Sequence, residues 1–458
     1  MKITLFFKKN IFIFILALAL VLRLFLTPMA FHDDILTNTT WGEWVYKNGP
    51  LGFFEHQVWL YSWPTQPPLI TLLYGFNHYI YDRLQWAFSN IGLFIATYRL
   101  IPTKMIWFFD FNSWFGHILY KDTPLQIGAM ISMKLLAIFA DIGIASIIFF
   151  LGKGTNRLRA ILLSAAYLFS PFSWYLSALW GQYDQLGCFF LLLAFVSVVK
   201  KWFFWVPILM LLSIELKPTT LIFIPLLLAF IWYQRPSVLS FLSGLIVSLI
   251  IFVYTILIFT DSNIITFIRE ILIPKIFFKA EFRVSTNSFN FWHILIGDQA
   301  LNQNTLFLWI PAKIWGWTAF LVLYVSVLKV IKSVTFENVF KSLTILGIGS
   351  WLFLTNMLDR YVFAGIVSLL ILCIYNKELF RYWFVLSIIF WLNLFNHWWF
   401  PSSFSTLQQI MTWQGSLFTR FLALANLILF LVVLRKINFS IDPKMDFKKL
   451  FSLKKSVE

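Results

Sequence analysis

Residues 11–26 read IFIFILALALVLRLFL, and Arg23 is the one charged side chain among them. The apolar run that contains them, 10–28, approaches the roughly 20 residues that an α-helix needs to cross the hydrocarbon core of a bilayer. We expect it to be a retained helix and not a cleaved signal peptide, because no small-residue cleavage site follows it. Similar runs along the chain predict about twelve transmembrane helices, near 10–28, 124–151, 159–178, 183–199, 201–216, 218–234, 237–260, 305–328, 340–356, 361–375, 382–396 and 416–434.

The composition excludes several classes of protein. Of the 458 residues, 60% are hydrophobic and 12% are charged, whereas about 25% of an average soluble domain is charged. A cytosolic enzyme and a disordered chain are therefore excluded. A nucleic-acid-binding protein is excluded as well, because the bases behind the net charge of +16 are scattered between apolar runs. Cys188 and Cys373 lie inside such runs and have neither a disulfide nor a zinc spacing. The predicted fold class is an all-α integral membrane protein.

The basic residues predict an orientation in the membrane. Residues 1–9 carry three lysines before the first span, and the positive-inside rule places them in the cytoplasm. Alternating spans bring the short basic loops at 153–159, 200–201 and 377–381 to the same side, together with a basic cytoplasmic tail at 436–458. We therefore expect a multi-pass protein of the cell (plasma) membrane with both termini in the cytoplasm and one domain over 1–435. Its long outer loops, with short amphipathic helices near 66–100 and 104–120, are 28–121, 261–304 and 397–415.

The first outer loop opens with Asp33 and Asp34. This acid pair could simply cap the next helix, or it could act as a base and a metal-binding pair at the membrane surface. Farther along lie GFF at 52–54 and WPTQPP at 63–68. An Asp seven residues before Trp41, followed by these two segments, resembles the first outer loop of GT-C glycosyltransferases. These are polytopic enzymes that take a sugar from polyprenyl-phosphate donors, and the resemblance implies that Asp34 is the catalytic acid of the loop.

Three further motifs fit the same resemblance, all on the predicted outer face. WGQYD at 180–184 resembles a signature of the mannosyl- and glucosyltransferase branch, and Lys217 follows one helical hairpin later. A tight turn capped by the aspartate is the plain alternative for this motif. VSTNSFNFW at 284–292 resembles a stretch in the large later loop of prokaryotic members. NMLDRYVF at 356–363 resembles a His-Glu-Arg-Tyr-Leu-Phe motif, but it has Leu-Asp where the family often has His-Glu.

The resemblance and the chemistry of glycosyl transfer assign roles to these residues. A donor whose reactive end is a phosphate at the bilayer surface needs cations near the outer helix ends, and we expect Arg360 and Lys217 to supply them. Alternatively, Arg360 pairs with a loop acid and Lys217 only reaches the membrane interface. The acceptor hydroxyl needs a carboxylate base; Asp34 is the candidate, with Asp33 assisting. The candidate sugar-binding residues are Asp184, Trp180, Gln182, Tyr183, Asn287, Asn290, Asp359 and Tyr361.

The expected activity is transfer of one hexose from a polyprenyl-phosphate donor to a lipid-linked or protein acceptor of the cell envelope. Mannose is the candidate sugar, and a single displacement would invert the anomeric centre. The alternatives are a lipid-sugar flippase or transporter, and a polysaccharide polymerase or ligase. The sequence lacks the repeated halves that many transporters show. We expect no cofactor. His32, Asp33 and Asp34 could bind a divalent metal, but hard cations prefer sites made of oxygen ligands, and the spacing of these three residues is not diagnostic.

Two other features have structural interpretations. The aromatic run HWWFP at 397–401, together with Trp413, could stack on sugar rings, but Trp and Tyr concentrate at membrane interfaces in any case. The interfacial interpretation is favoured. Asp141 lies in the middle of a predicted span, and we expect it to pair with Lys134 or Arg23 inside the helix bundle.

Overall fold

The computed structural model describes residues 2–56, 59, 62–120, 123–277, 282–331 and 333–439. Almost all of the predicted tail, 436–458, therefore lies outside the described residues. The described α-helices are α1 (Lys2–Leu26), α2 (Asp33–Asn48), α3 (Pro68–Thr97), α4 (Phe111–Phe115), α5 (Ile127–Phe169), α6 (Pro171–Trp174), α7 (Asp184–Val199), α8 (Trp205–Leu216), α9 (Ile224–Gln234), α10 (Val238–Leu257), α11 (Ile264–Phe267), α12 (Phe291–Ile296), α13 (Ala312–Val330), α14 (Phe336–Phe353), α15 (Phe363–Leu372), α16 (Leu379–Trp398), α17 (Ser405–Met411) and α18 (Leu417–Lys436).

Other regular structure is short. The two described antiparallel strand pairs are β1 (His117–Tyr120) with β2 (Thr123–Gln126), and β3 (Leu306–Phe307) with β4 (Ile310–Pro311). The 3₁₀ segments are Thr27–Met29, Thr103–Phe109 and Pro218–Phe223, and the π-helical segments are Tyr175–Trp180 and Ile268–Phe277.

The long helices are those of a membrane protein. Among the described residues, six helices are long and apolar enough to cross a bilayer, within α1, α5, α10, α13, α16 and α18. Shorter apolar helices are α7, α8, α15 and the segment 218–234. On α10, Leu239 is 80% exposed and Ile250 is 62% exposed. A row of such side chains would be unfavourable in contact with water, whereas it is typical of a helix face in contact with lipid. The chain is an all-α membrane protein.

The predicted spans 124–151 and 159–178 correspond largely to the two halves of α5. This helix reverses direction at Asn156, between the two spans, because the backbone there leaves the helical region (φ −154°, ψ 101°). The second span differs from the structure because α5 ends at Phe169 and the short segments α6 and 175–180 follow. The Asn156 side chain accepts a hydrogen bond from the Arg159 amide at 2.9 Å and so caps the second half. The two halves then pack against each other, and Ser164 Oγ donates to the Ala145 carbonyl at 2.9 Å.

The ends of the long helices meet in two groups. At the first end, which we call the site end, Lys217 after α8 bonds to Asp184 at the start of α7 with an N–O distance of 2.9 Å. At the opposite end, Arg159 donates to the carbonyl of Ile374, just after α15, at 3.0 Å. The chain passes back and forth between these two ends, so residues far apart in sequence meet at the site end.

The predicted pairing inside the bundle is confirmed for Arg23. Its Nε lies 3.0 Å from Asp141 Oδ2, both side chains are fully buried, and Nη2 donates to Ser173 Oγ at 2.6 Å. Tyr167 donates to the other carboxylate oxygen of Asp141. A charge pair buried among helices needs such additional hydrogen bonds, and these bonds hold α1 against α5 and α6.

Candidate functional site

Asp34 lies at the start of α2, at the site end. His32 is the N-cap of this helix, and its Nδ1 accepts a hydrogen bond from the Asp34 amide at 3.0 Å. Asp34 Oδ2 accepts hydrogen bonds from Trp180 Nε1 at 3.1 Å and from the Gln182 side chain. The carboxylate side chain nevertheless keeps 40% of its surface exposed. Asp34 is therefore held in one orientation and is still open to a ligand.

The glycine of the WGQYD motif makes this arrangement possible. Gly181 follows the π-helical segment 175–180 and has a left-handed conformation, with φ +81°. A Cβ at this position would lie 2.9 Å from Ile35 Cδ1 and 3.1 Å from Lys134 Cγ. Only glycine combines this conformation with so close an approach to α2 and α5. The turn therefore presents the side chains of Trp180 and Gln182 to Asp34 on the facing segment.

Lys134 of α5 fixes the segment that leads into Asp34. Its side chain is fully buried, and its Nζ donates to the carbonyls of Thr27 at 2.8 Å and Ala30 at 2.6 Å. These carbonyls belong to the turn between α1 and α2. Its Nζ also lies 4.5 Å from the centre of the Phe31 ring. One buried cation thus ties the Asp34 turn to α5, while the carbon chain of the same residue packs on Gly181.

Charged side chains from four parts of the chain meet beside Asp34. We call Asp34, Asp184, Lys217, Asp359 and Arg360 the ion cluster. The Arg360 guanidinium nitrogens lie 3.4 Å from Asp359, 3.6 Å from Asp184 and 3.8 Å from Asp34. Lys217 Nζ donates to Asp184 at 2.9 Å. Arg360 thus pairs with acids, as one of the two interpretations of the sequence expected. Lys217 pairs with Asp184 as well, which neither interpretation had predicted.

The pairing of Arg360 is loose. None of its three carboxylate contacts is shorter than 3.4 Å, whereas a charged hydrogen bond of good geometry measures about 2.7–2.9 Å. Among the described residues its buried Nε has no hydrogen-bond partner. A buried donor without a partner is rare in proteins and indicates a group that a bound ligand can satisfy.

Asp359 connects the ion cluster to the third motif. Its side chain is fully buried, and its Oδ2 lies 3.4 Å from His397 Nδ1 at the end of α16. The same ring nitrogen lies 3.0 Å from Asn287 Nδ2. Asn287 is held in turn by Asn393, whose side chain donates to its carbonyl at 2.5 Å. The segment 284–292 therefore reaches the site through His397.

An aromatic wall borders the cluster. The rings of His32, Trp180, His397 and Trp398 lie against one another; the Trp180 ring centre is 4.4 Å from that of His32 and 5.1 Å from that of His397. Arg360 Cζ lies 5.5 Å from the centre of the Trp180 ring, within the range of a cation–π contact. The wall gives the polar site one flat apolar side.

A small cavity opens next to the charged groups. It has a volume of about 90 Å³, and its lining includes the charged residues Asp184, Lys217 and Arg360 together with apolar residues such as Phe223 and Phe363. Pockets for whole ligands usually exceed about 300 Å³. The cavity is therefore large enough for one small group and not for a whole ligand.

The electrostatics of the site favour an ionised Asp34. Burial by itself raises the pKa of this carboxyl, but the neighbouring Arg360, then His32 and the hydrogen bond from Trp180, outweigh it and hold the pKa below its usual value. Burial lowers the pKa of His32 to about 4, so this ring is neutral and its Nδ1 can accept the Asp34 amide. Burial raises the pKa of Asp359.

Four predicted site residues stand apart from the ion cluster or at its edge. Asp33 is exposed on the first turn of α2. The Tyr183 hydroxyl turns away and donates to the Met133 carbonyl at 3.3 Å. Asn290 caps α12, where its Oδ1 accepts from the His293 amide at 3.1 Å. Tyr361 lies at the edge, with its ring centre 5.6 Å from Lys217 Nζ.

Other residues of the site had no role in the sequence interpretation. His397 and Trp398 belong to the run taken as an interfacial belt, and Lys134 was expected only as a partner for Asp141. A charge in the middle of a span was the available signal for Lys134. For metals, no group of three or more His, Cys, Asp or Glu side chains within the described ranges has an arrangement that could hold an ion.

Comparisons with known proteins give no assignment. No protein-family model matches this sequence, and no curated protein is significantly similar to it.

Proposed function

We propose that the protein is a glycosyltransferase of the GT-C type, which transfers a hexose from a polyprenyl-phosphate donor to a lipid-linked or protein acceptor. One observation carries this proposal. The motifs around Asp34, Trp180, Asn287 and Arg360 lie far apart in the sequence but are connected in the structure. Trp180 and Arg360 lie beside Asp34, and Asn287 reaches Asp359 of the same ion cluster through His397. Four unrelated loop motifs would not be expected to lie together in the fold.

The proposed reaction uses Asp34 as the base and the two cations of the ion cluster beside the leaving phosphate. The acceptor hydroxyl oxygen forms a bond to the anomeric carbon, and its proton passes to Asp34. The bond between the anomeric carbon and the phosphate oxygen breaks at the same time, and the electron pair leaves with polyprenyl phosphate. Attack on the face opposite the leaving group inverts the anomeric centre.

The leaving phosphate gains negative charge as this bond breaks. Arg360 and Lys217 are already fixed beside the cavity, so they stabilise this developing charge more than the charge of the bound donor. The apolar residues of the lining, among them Phe223 and Phe363, are compatible with the first carbons of a polyprenyl chain.

The same proposal includes the twelve-span topology, with the site end on the outer face of the plasma membrane and mannose as the candidate sugar. The alternation of helix ends between the two groups supports it, as do the basic loops at 153–159 and 200–201 of the opposite end. A reporter inserted near Asn302 should report the outer compartment, and one fused at the C-terminus should report the cytoplasm. Finding both reporters on one side would contradict this topology.

The test of the activity uses purified protein in proteoliposomes. Short-chain polyprenyl-phosphate mannose and glucose are supplied with a membrane lipid extract as the acceptor source, and nucleotide sugars serve as the comparison donors. We expect release of polyprenyl phosphate from one lipid donor and none from the Asp34→Asn variant. Movement of the intact donor across the bilayer without release of lipid phosphate would instead identify a flippase.

A further inference from the structure

A second cavity lies at the end of the helix bundle opposite the site. Its volume is about 180 Å³, compared with about 90 Å³ for the cavity beside the ion cluster. Its lining comes from the end of α13, the start of α14 and the turn after α18, and Lys341 of α14 is the one charged residue of the described lining. The proposed reaction does not use this cavity.

The packing of three helices explains why a space remains here. In the middle of the bundle, Gly349 of α14 approaches α13 so closely that a Cβ would overlap Leu323, and Phe430 Cζ of α18 lies 3.5 Å from the same position. Two turns earlier on α14, Ser342 lines the cavity and does not fill the corresponding space. The Phe439 amide bonds back to the last turn of α18 at 2.9 Å and fixes the third wall. The cavity is therefore an ordered part of the fold.

The lining combines buried apolar side chains with one partly exposed cation. Val327, Ile331 and Ile345 are at most 3% exposed. Lys341 Nζ lies 2.8 Å from Glu337 Oε1, one turn earlier on α14, and the two side chains are 32% and 45% exposed. Exposed pairs of this kind contribute little to stability. The ammonium can therefore exchange this partner for an anion in the cavity.

The charges around the cavity also favour an anion. Arg435 and Lys436 end α18, and Lys329 lies in the last turn of α13. The nearby acid Glu378 is bonded to Lys436 at 3.2 Å. In addition, α14 begins here, and the N-terminal end of a helix carries a partial positive charge. A negatively charged group in the cavity would be stabilised by all of these charges.

The helices that flank the cavity present apolar faces to the bilayer. Both α13 and α18 are long and apolar enough to cross a membrane. Leu321 and Val330 on α13, and Ile428 and Leu431 on α18, are each 46–51% exposed. Such faces contact acyl chains, whereas the helix ends lie at the level of the headgroups. The cavity at these helix ends is therefore placed where a lipid headgroup can enter it.

We propose that this cavity binds the headgroup of an anionic phospholipid such as phosphatidylglycerol. Lys341 contacts the phosphate, and the acyl chains lie along the exposed faces of α13 and α18. A volume of about 180 Å³ is too small for a whole ligand but holds one headgroup, and basic pockets between membrane helices are known to bind such groups. This inference rests on the end of the bundle opposite the site and does not depend on the reaction at Asp34.

Lipid titration of the purified protein in detergent tests the proposal. Dioctanoyl-phosphatidylglycerol is the probe, dioctanoyl-phosphatidylcholine has the same chains without the net charge, and inorganic phosphate has the charge without the chains. A ligand that binds the folded protein raises its melting temperature, and the titration gives a dissociation constant. Lys341→Ala removes the cation of the cavity. Lys153→Ala is the matched control, because Lys153 is an exposed base of the same end that lies outside the lining.

We expect phosphatidylglycerol to raise the melting temperature to a plateau at concentrations where the two comparison ligands have little effect. Lys341→Ala should weaken its binding about fivefold or more, since one basic residue beside anionic headgroups contributes about that factor, while Lys153→Ala should bind as the unchanged protein does. Equal effects of the two lipids would overturn the proposal. An equal loss in both variants, or no loss in Lys341→Ala, would overturn it as well, and a full effect of inorganic phosphate alone would exclude a lipid as the required ligand.

A fluorescent label locates the lipid independently of stability. Asn438→Cys places the label in the lining, and the exposed Asn48→Cys places it near the site end. The native Cys188 and Cys373 are buried. Phosphatidylglycerol with brominated chains should quench the label at position 438 at concentrations that leave position 48 bright, and Lys341→Ala should reduce this quenching. Equal quenching at the two positions would contradict binding in the cavity.

Discussion

Replacing Arg360 with lysine separates phosphate binding from charge pairing. The guanidinium lies 3.4–3.8 Å from three carboxylates, and its Nε has no hydrogen-bond partner among the described residues. Lysine keeps the positive charge near the same acids, so pairing alone predicts little change. A lysine ammonium, however, cannot reproduce the two parallel hydrogen bonds that a guanidinium forms with a phosphate.

The size of the effect follows from the bonds that are lost. A hydrogen bond to a charged group contributes about 1.5–3 kcal/mol. Loss of one such bond that strengthens as the phosphate leaves would lower kcat/KM about 10- to 100-fold, since each 1.36 kcal/mol is tenfold in rate. The cavity keeps its apolar lining in this variant, and Lys217 stays bonded to Asp184, so we expect the residual activity to be measurable.

The assay is release of polyprenyl phosphate by the purified variant, with its melting temperature measured in the same detergent. Arg381→Lys is the matched control, because Arg381 is exposed near the opposite end and stacks on Tyr382, with its Cζ 4.7 Å from the ring centre. The control should stay within about twofold of the unchanged protein, as surface substitutions usually do. Equal kinetics for the two variants would refute the reasoning and leave Arg360 as a structural partner of the acids.

Three further predictions concern neighbouring groups. Lys217→Ala should lower turnover about tenfold or more, because it removes the second cation beside the leaving phosphate; kinetics at unchanged expression check this, and normal turnover would remove Lys217 from the site. Burial raises the pKa of Asp34, but the charge of Arg360 outweighs this effect and the net pKa is lowered. Asp34 should therefore stay ionised at pH values below the usual titration range of Asp, and the pH–rate profile should show turnover falling only as the pH drops through this lowered pKa. Arg360→Met should move that acid limb to higher pH, and an unmoved limb would contradict the assignment of the base. Lys134→Met should lower turnover on the order of tenfold by loosening the Asp34 turn, but should add no loss in an Asp34→Asn background; additive losses would show a general effect on the fold.

The sequence predicted much of the fold because each apolar run is a local signal. The all-α membrane class follows from composition, and the burial of Arg23 with Asp141 follows from the cost of a charge inside a span. The reversal of α5 at Asn156 lies in the short basic loop that was predicted between the spans 124–151 and 159–178, but its exact form was less accessible. That form depends on one backbone conformation and a side-chain cap.

The candidate site was likewise predictable from the sequence only in part. The resemblance of their motifs made Asp34, Trp180 and Arg360 candidates, but the directions of side chains come from tertiary contacts. The Tyr183 hydroxyl points away from the ion cluster and donates to the Met133 carbonyl on α5, a contact that no local sequence pattern predicts. In the sequence, His397 looks like any other member of an interfacial aromatic run. Its role at the site depends on the position of α16, which brings it next to Asp359.

The role of Asp34 is tested most directly by measuring donor binding and turnover separately in Asp34→Asn. Asparagine keeps the size of the side chain and an oxygen that can accept from Trp180, but it cannot take a proton from the acceptor hydroxyl. We predict an unchanged dissociation constant for polyprenyl-phosphate sugar and a loss of at least about 10²-fold in turnover, while the exposed Asp33→Asn costs less. Near-normal turnover of Asp34→Asn with an intact fold would contradict the account and move the search for the base to Asp184 or Asp33.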